Sequence, residues 1–295
     1  MANHHDRGWS PPSPLLWAAA AVLTLAAASW QRLSGPTRPL TGETTVAGTS
    51  LSWRLLRAGV SGQPLRVEVD APQAVLIGTL RWRRYPADER FSGTSMIRDS
   101  EGGPLVGLIP PQPPAGKVEY YVVLATRSGL VRIPEDAPVV MRFEGEVPVA
   151  VLAPHVVLML LAMLLSLRTG LGAVFSRPDT LRLAVATLAA LTVGGMILGP
   201  VVRKFAFDAF WTGWPFGEDV TDSKTLVAWL VWLVAVVALR GARGATDRFA
   251  RTTAVVAGIV TLAVFLVPHS LGGSELDYAR LDAGASPTDA VRTGR

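Results

Sequence analysis

The chain contains no cysteine. That excludes disulfides, Cys-ligated zinc or iron–sulfur centres, thiol catalysis and covalent c-type haem attachment. Charge is also scarce: Asp, Glu, Lys and Arg together supply 17% of the 295 residues, against ~25% in an average soluble domain. Only three residues are lysine (Lys117, Lys204 and Lys224), so arginine carries most of the basic side of a +5 net charge. No G-x-S-x-G elbow, Walker loop, G-x-G-x-x-G or H-E-x-x-H occurs, so the common hydrolase, nucleotide and zinc-protease chemistries have no signature here. The apolar runs hold very few ionisable groups, and a pump or ion-coupled transporter would lack its relay.

What is abundant is apolar sequence, 49% of the chain, and it is clustered. Five segments stand out, at residues 15–30, 147–167, 183–202, 225–239 and 252–267. The second and third have ~20 residues, enough at 1.5 Å per residue to cross a ~30 Å hydrocarbon core. The other three have about 16 and need flanking residues to extend the helix. An A-x-A pattern at Ala26 and Ala28 offers a cleaved signal peptide as a second reading of the first segment. The single Arg7 and the prolines at positions 11, 12 and 14 favour an uncleaved anchor.

Short loops set the orientation. Arg168, Arg177 and Arg182 face only Asp179 between segments two and three. Arg240, Arg243, Arg248 and Arg251 face only Asp247 between segments four and five. The positive-inside rule makes these loops and residues 1–14 cytoplasmic. Residues 31–146, the loop 203–224 and the C-terminal tail are then outside, in the periplasm of a bacterial inner membrane. The positive charge thus reports topology and a lipid bilayer rather than nucleic acid.

Residues 31–146 read as an all-β domain. Leu65, Val67 and Val69 alternate with Arg66, Glu68 and Asp70, and Val139, Met141 and Phe143 alternate with Val140, Arg142 and Glu144, both at the period of a half-buried strand. Leu80 and Trp82 oppose Arg81 and Arg83, and residues 117–125 form a strand entered through the stiff turn IPPQPPAG. Six to eight short strands predict a two-sheet sandwich. The expected architecture is a membrane bundle of five helices, four of them within 147–278, with an inserted sandwich and a flexible tail over 279–295.

Polar interest gathers on the outer face. Pro154-His155 and Pro268-His269 place two imidazoles there, which as a pair suit axial ligation of a b-type haem. Capping of proline-loosened helix ends is the plainer reading of both. Asp219, Asp222 and Glu275 extend the set to nitrogen and oxygen ligands for a divalent metal. Asp222 is also placed to cap the N-terminus of segment four. The loop 203–224 concentrates Phe205, Phe207, Phe210, Phe216, Trp211 and Trp214 with Lys204 and Lys224. Such density beside a span reads as an interfacial aromatic belt, or as an aromatic-walled pocket in which Lys204, Trp211, Trp214 and Lys224 hold a ligand.

The stretches IPPQPPAGKVEYYVV, WTGWPFGEDVTDSKT and PHSLGGSELDY resemble a family of bacterial inner-membrane proteins with a periplasmic sandwich between their first two spans. The resemblance covers about residues 50–278. It implies architecture and carries no catalytic role, because the family has no established activity. The outer domain also looks like a fibronectin type III or immunoglobulin-like sandwich in its strand pattern, without the cysteine pair of antibody domains. The leading expectation is a non-enzymatic envelope protein whose outer domain binds a ligand, or a periplasmic or membrane protein partner. A haem or metal redox protein using His155 and His269 is the second, and a metal-dependent hydrolase the third.

Overall fold

The computed structural model describes residues 11–244, 247–268 and 274–292. Chain contacts divide these into a helical unit and a β unit.

The helical unit contains the long apolar helices. Helix α1 (Ser13–Ser34) starts just after the Pro11-Pro12 pair, with the Leu15 amide donating to the Pro12 carbonyl (3.0 Å). Helix α2 is Val149–Val174, and α3 (Thr180–Ala190) continues through a π-helical stretch (Leu191–Leu198) into α4 (Gly199–Phe207). Helices α5 (Val220–Gly241) and α6 (Arg248–Leu266) complete the set. Five segments are long and apolar enough to cross a membrane, at 22, 26, 28, 22 and 19 residues. Each short apolar run is lengthened by its polar flanks, and at 1.5 Å per residue even the shortest reaches about 28 Å. Six α-helices, rather than five, make these five spans, because the third span is α3 and α4 joined by the π-helical stretch. Pro200 has no N–H to return to Met196, and the ladder widens upstream, where the Gly199 amide donates to the Gly194 carbonyl.

Small residues let the helices approach. A Cβ on Gly258 would sit 3.3 Å from Gly170 Cα, and one on Gly194 would sit 2.8 Å from Leu158 Cβ. Trp232 of α5 is fully buried, its indole N–H shared between Thr261 Oγ1 (2.9 Å) and Ser166 Oγ (3.2 Å). Hydroxyls on small side chains act here as interhelical glue.

The β unit opens with a hairpin of β1 (Leu40–Val46) and β2 (Thr49–Leu55), turned by Ala47 and Gly48, both at positive φ. This is the pairing of a type I′ turn, which matches strand twist. The following strands are β3 (Ala58–Val60), β4 (Leu65–Val69), β5 (Ile77–Arg84), β6 (Ser92–Arg98), β7 (Leu105–Ile109), β8 (Lys117–Thr126), β9 (Gly129–Ile133) and β10 (Val139–Glu144). Their order is β3-β10-β8-β5-β6-β7-β4, with β9 on the same edge of β8 as β10. β3 runs parallel to β10, so the sheet is mixed.

The alternation expected for β4 holds, and β10 departs from it only at Arg142, which is buried; Leu65, Val67, Val69, Val139, Met141 and Phe143 share one core with Leu55, Leu80, Tyr120 and Leu124. The expected pair of discrete sheets is instead one nearly barrel-shaped path. β6 pairs with β5 through Ser92–Met96 and with β7 through Ile97 and Arg98, so a single strand passes from one side to the other. Glycines permit the curl: a Cβ on Gly107 would lie 2.9 Å from Leu80 Cδ2, and one on Gly78 2.9 Å from Leu105 Cδ1.

Residues 203–219 and 274–292 also belong to the β unit. The segment expected as a flexible tail carries helix α7 (Tyr278–Asp282), and β11 (Glu275–Leu276) pairs with β12 (Val291–Arg292). Leu276, Tyr278 and Ala290 are buried together, which gives the segment a small core of its own.

Candidate functional site

An open cleft of about 760 Å³ lies in the β unit between the β1–β2 hairpin and β4. Five consecutive residues, Arg66 to Asp70, line it. Side chains alternate across a strand, so a continuous run of lining residues means that the cleft follows the edge of β4. That edge is open: β4 pairs with β7 on one side and ends the strand order. Trp53 forms part of the opposite wall, its ring lying on Gly42, where a Cβ would come within 2.3 Å of the indole. The Trp53 N–H donates to Thr44 Oγ1 (3.0 Å) and fixes the ring. Glu43, Arg54, Arg66, Glu68 and Asp70 give the cleft both signs of charge. Arg66 pairs with Glu68 and with Asp99 (2.9 Å). Sequence reasoning identified β4 as a strand but gave these residues no binding role.

A second cluster ties the aromatic loop to the β unit. Arg203 of α4 donates to Asp219 Oδ2 (2.9 Å), Thr212 and Ser274. The Ser274 amide donates to the same Asp219 oxygen (3.2 Å), and Arg142 donates to the Ser274 carbonyl (3.1 Å). Phe207 is flanked by both guanidinium groups, at 5.5 and 5.3 Å. Burial holds Arg142 below the ordinary arginine range and pushes the Glu144 carboxyl above the ordinary carboxylate range, with Arg142 pulling Glu144 partly back. Lys117 pairs with Glu275, while its burial lowers its affinity for a proton. The Tyr278 hydroxyl donates to the Lys117 carbonyl (2.9 Å) and lies 3.1 Å from Gln112 Oε1; burial raises its pKa.

Two of the residues expected to hold a metal are engaged in ion pairs. Asp219 and Glu275 are held by Arg203 and Lys117, and among the described residues no three His, Cys, Asp or Glu side chains converge as ligands. Asp222 lies inside the first turn of α5, which begins three residues earlier than a cap at that position requires. There it still meets the positive helix end. His269 lies outside the described residues. Lys204 donates to Asp208 Oδ1 (2.5 Å), and the Trp211 indole closes its own turn on the carbonyls of Gly213 (3.0 Å) and Trp214 (3.2 Å). Phe210, Trp214 and Phe216 are exposed.

In the helical unit, one end of the bundle carries a third arrangement. The last carbonyls of α6 receive donors from two other helices: Trp30 to Leu266 (3.2 Å), Gln31 to Phe265 (3.1 Å) and Lys224 to Val267 (2.6 Å). Those groups are orphaned by the end of the helix, and side chains of α1 and α5 satisfy them. His155 of α2 donates from Nδ1 to the Gly194 carbonyl (2.8 Å) in the π-helical stretch. Beside it lies a crevice of about 130 Å³.

No protein-family model matches the chain, and no curated protein matches it in sequence.

Proposed function

We propose that this is a multi-pass protein of the bacterial inner membrane, and that its β unit, held in the periplasm, binds an extended segment of a partner polypeptide along β4. The observation that carries this reading is the open β4 edge lining a cleft of about 760 Å³. In our reading the neighbours β10-β8-β5-β6 and β4–β7 of this continuous sheet correspond to the G-F-C-C′ and B–E neighbours of an immunoglobulin-like sandwich. In that fold strand A lies beside strand B. Here β1 and β2 pair with each other, and among the described residues no strand is hydrogen-bonded to the outer edge of β4. An extended peptide added there gains main-chain hydrogen bonds, and Trp53 and the alternating charges select its side chains. A five-residue edge spans about 17 Å.

The test uses the full chain in nanodiscs and a ten-residue peptide selected on it from a random library. Alternate N-methylation of that peptide is expected to weaken binding at least tenfold in one register and little in the other, because only alternate amides face the edge. Trp53→Ala is expected to weaken the parent peptide. Equal affinity of both N-methylated forms, or selection yielding only peptides indifferent to Trp53, contradicts the reading.

A further inference from the structure

The crevice beside His155 is separate from the β4 cleft and has a chemistry of its own. Its walls are apolar side chains, among them Met159, Leu191, Ala228 and Phe265. Its polar lining comes from His155, Gln31, Lys224 and Thr225. Three of these four direct a donor at a backbone carbonyl: Gln31 at Phe265, Lys224 at Val267 and Thr225 at Thr221 (2.9 Å). His155 differs. Its Nδ1–H is spent on the Gly194 carbonyl, which accepts only, so a neutral imidazole carries its lone pair on Nε2. Among the described residues Nε2 has no hydrogen-bond partner. The π-helical stretch fixes that polarity, because Gly194 offers its carbonyl to both the Gly199 amide and the imidazole.

Volume defines what the crevice admits. About 130 Å³ is close to the 150 Å³ of an engineered apolar cavity, in another protein, that stays dry and binds benzene. One six-membered ring fills such a space. Val156 and Leu160 at the rim are exposed on the surface of the bundle, which gives a lipid-soluble molecule a lateral approach. We infer that the crevice is a binding site for a phenolic ring, whose hydroxyl donates to His155 Nε2 while the ring packs against Met159, Leu191 and Phe265.

The experiment follows 4-fluorophenol and 4-fluorotoluene by ¹⁹F NMR on the full chain in dodecyl maltoside. The two probes match in size and differ in the hydroxyl donor. Saturable 4-fluorophenol binding is expected, at least tenfold tighter than 4-fluorotoluene. His155→Asn keeps a donor for Gly194 and removes the Nε2 acceptor; it is expected to bring 4-fluorophenol down to the level of 4-fluorotoluene. Ala228→Leu fills the crevice without touching His155 and is expected to abolish binding of both. The absence of saturable binding, equal affinity of the wild type for the two probes, or unchanged 4-fluorophenol affinity in His155→Asn would each overturn the assignment. The comparison on the wild type needs no variant to fold.

Discussion

Arg203 and Asp219 form an ion pair at 2.9 Å in which the two side chains are 7% and 1% exposed. Within the β unit the pair joins Arg203, the aromatic loop and the C-terminal segment through Thr212 and Ser274, and Arg142 ties Ser274 to β10. Removing one partner from a buried pair leaves an uncompensated charge, at a cost of about 3–5 kcal/mol. Asp219→Ala is therefore expected to destabilise the β unit by that amount in urea unfolding followed by tryptophan fluorescence. The double variant Arg203→Met/Asp219→Leu, which removes both charges, should lose much less. Equal losses would show that shape, and not charge, holds the cluster.

Trp232 gives the corresponding test of the helical unit. Its indole N–H is satisfied by two hydroxyls, from α2 and α6. Interhelical hydrogen bonds in membranes average ~0.6 kcal/mol with a maximum near 1.7, so Trp232→Phe should cost about 1 kcal/mol. Trp232→Ala also opens a cavity and should cost about 3–5 kcal/mol. Unfolding in mixed detergent, with the wild type as reference, reads both. A Phe variant as damaged as the Ala variant would contradict packing as the larger contribution.

Glu144 makes part of the stability depend on pH. Burial raises its pKa in the folded chain above the ordinary 4.5. A carboxyl raised on folding contributes stability that is fully present below its unfolded pKa and lost as pH rises through the folded value. Glu144→Gln keeps the neutral shape. It is expected to match the wild type below about pH 4 and to be the more stable protein from there upward, in thermal unfolding across the range. A constant difference at all pH values would assign the effect to packing instead.

The absence of cysteine makes orientation directly measurable. Ser128→Cys in the exposed β8–β9 turn is expected to react with a membrane-impermeant maleimide applied to intact spheroplasts. Arg243→Cys, between α5 and α6, should react only after permeabilisation. The reversed pattern would invert the proposed topology.

Much of the architecture was legible in local pattern. The five spans follow from runs of apolar residues, and β4 and β10 from alternation at period two. The polar clusters were not legible, because their partners are distant in sequence. His155 meets Gly194 39 positions away, and Arg203 meets Ser274 71 positions away. Arg142 stands at an outward position of the expected alternation and is nonetheless buried, since the C-terminal segment covers it. Neighbours within a sheet are likewise non-local, so nothing in LRVEV marks β4 as a strand with one open edge. One signal was present and unread: Gly194-Gly195 and Pro200 in a single span mark where the α-helical ladder widens.

The most direct test of the proposed function is amide hydrogen exchange on the full chain in nanodiscs, with and without the selected ten-residue peptide. Strand addition predicts slowed exchange at alternate residues of Arg66–Asp70, with β7 amides unchanged. Protection confined to the aromatic loop, or none along β4, would contradict it.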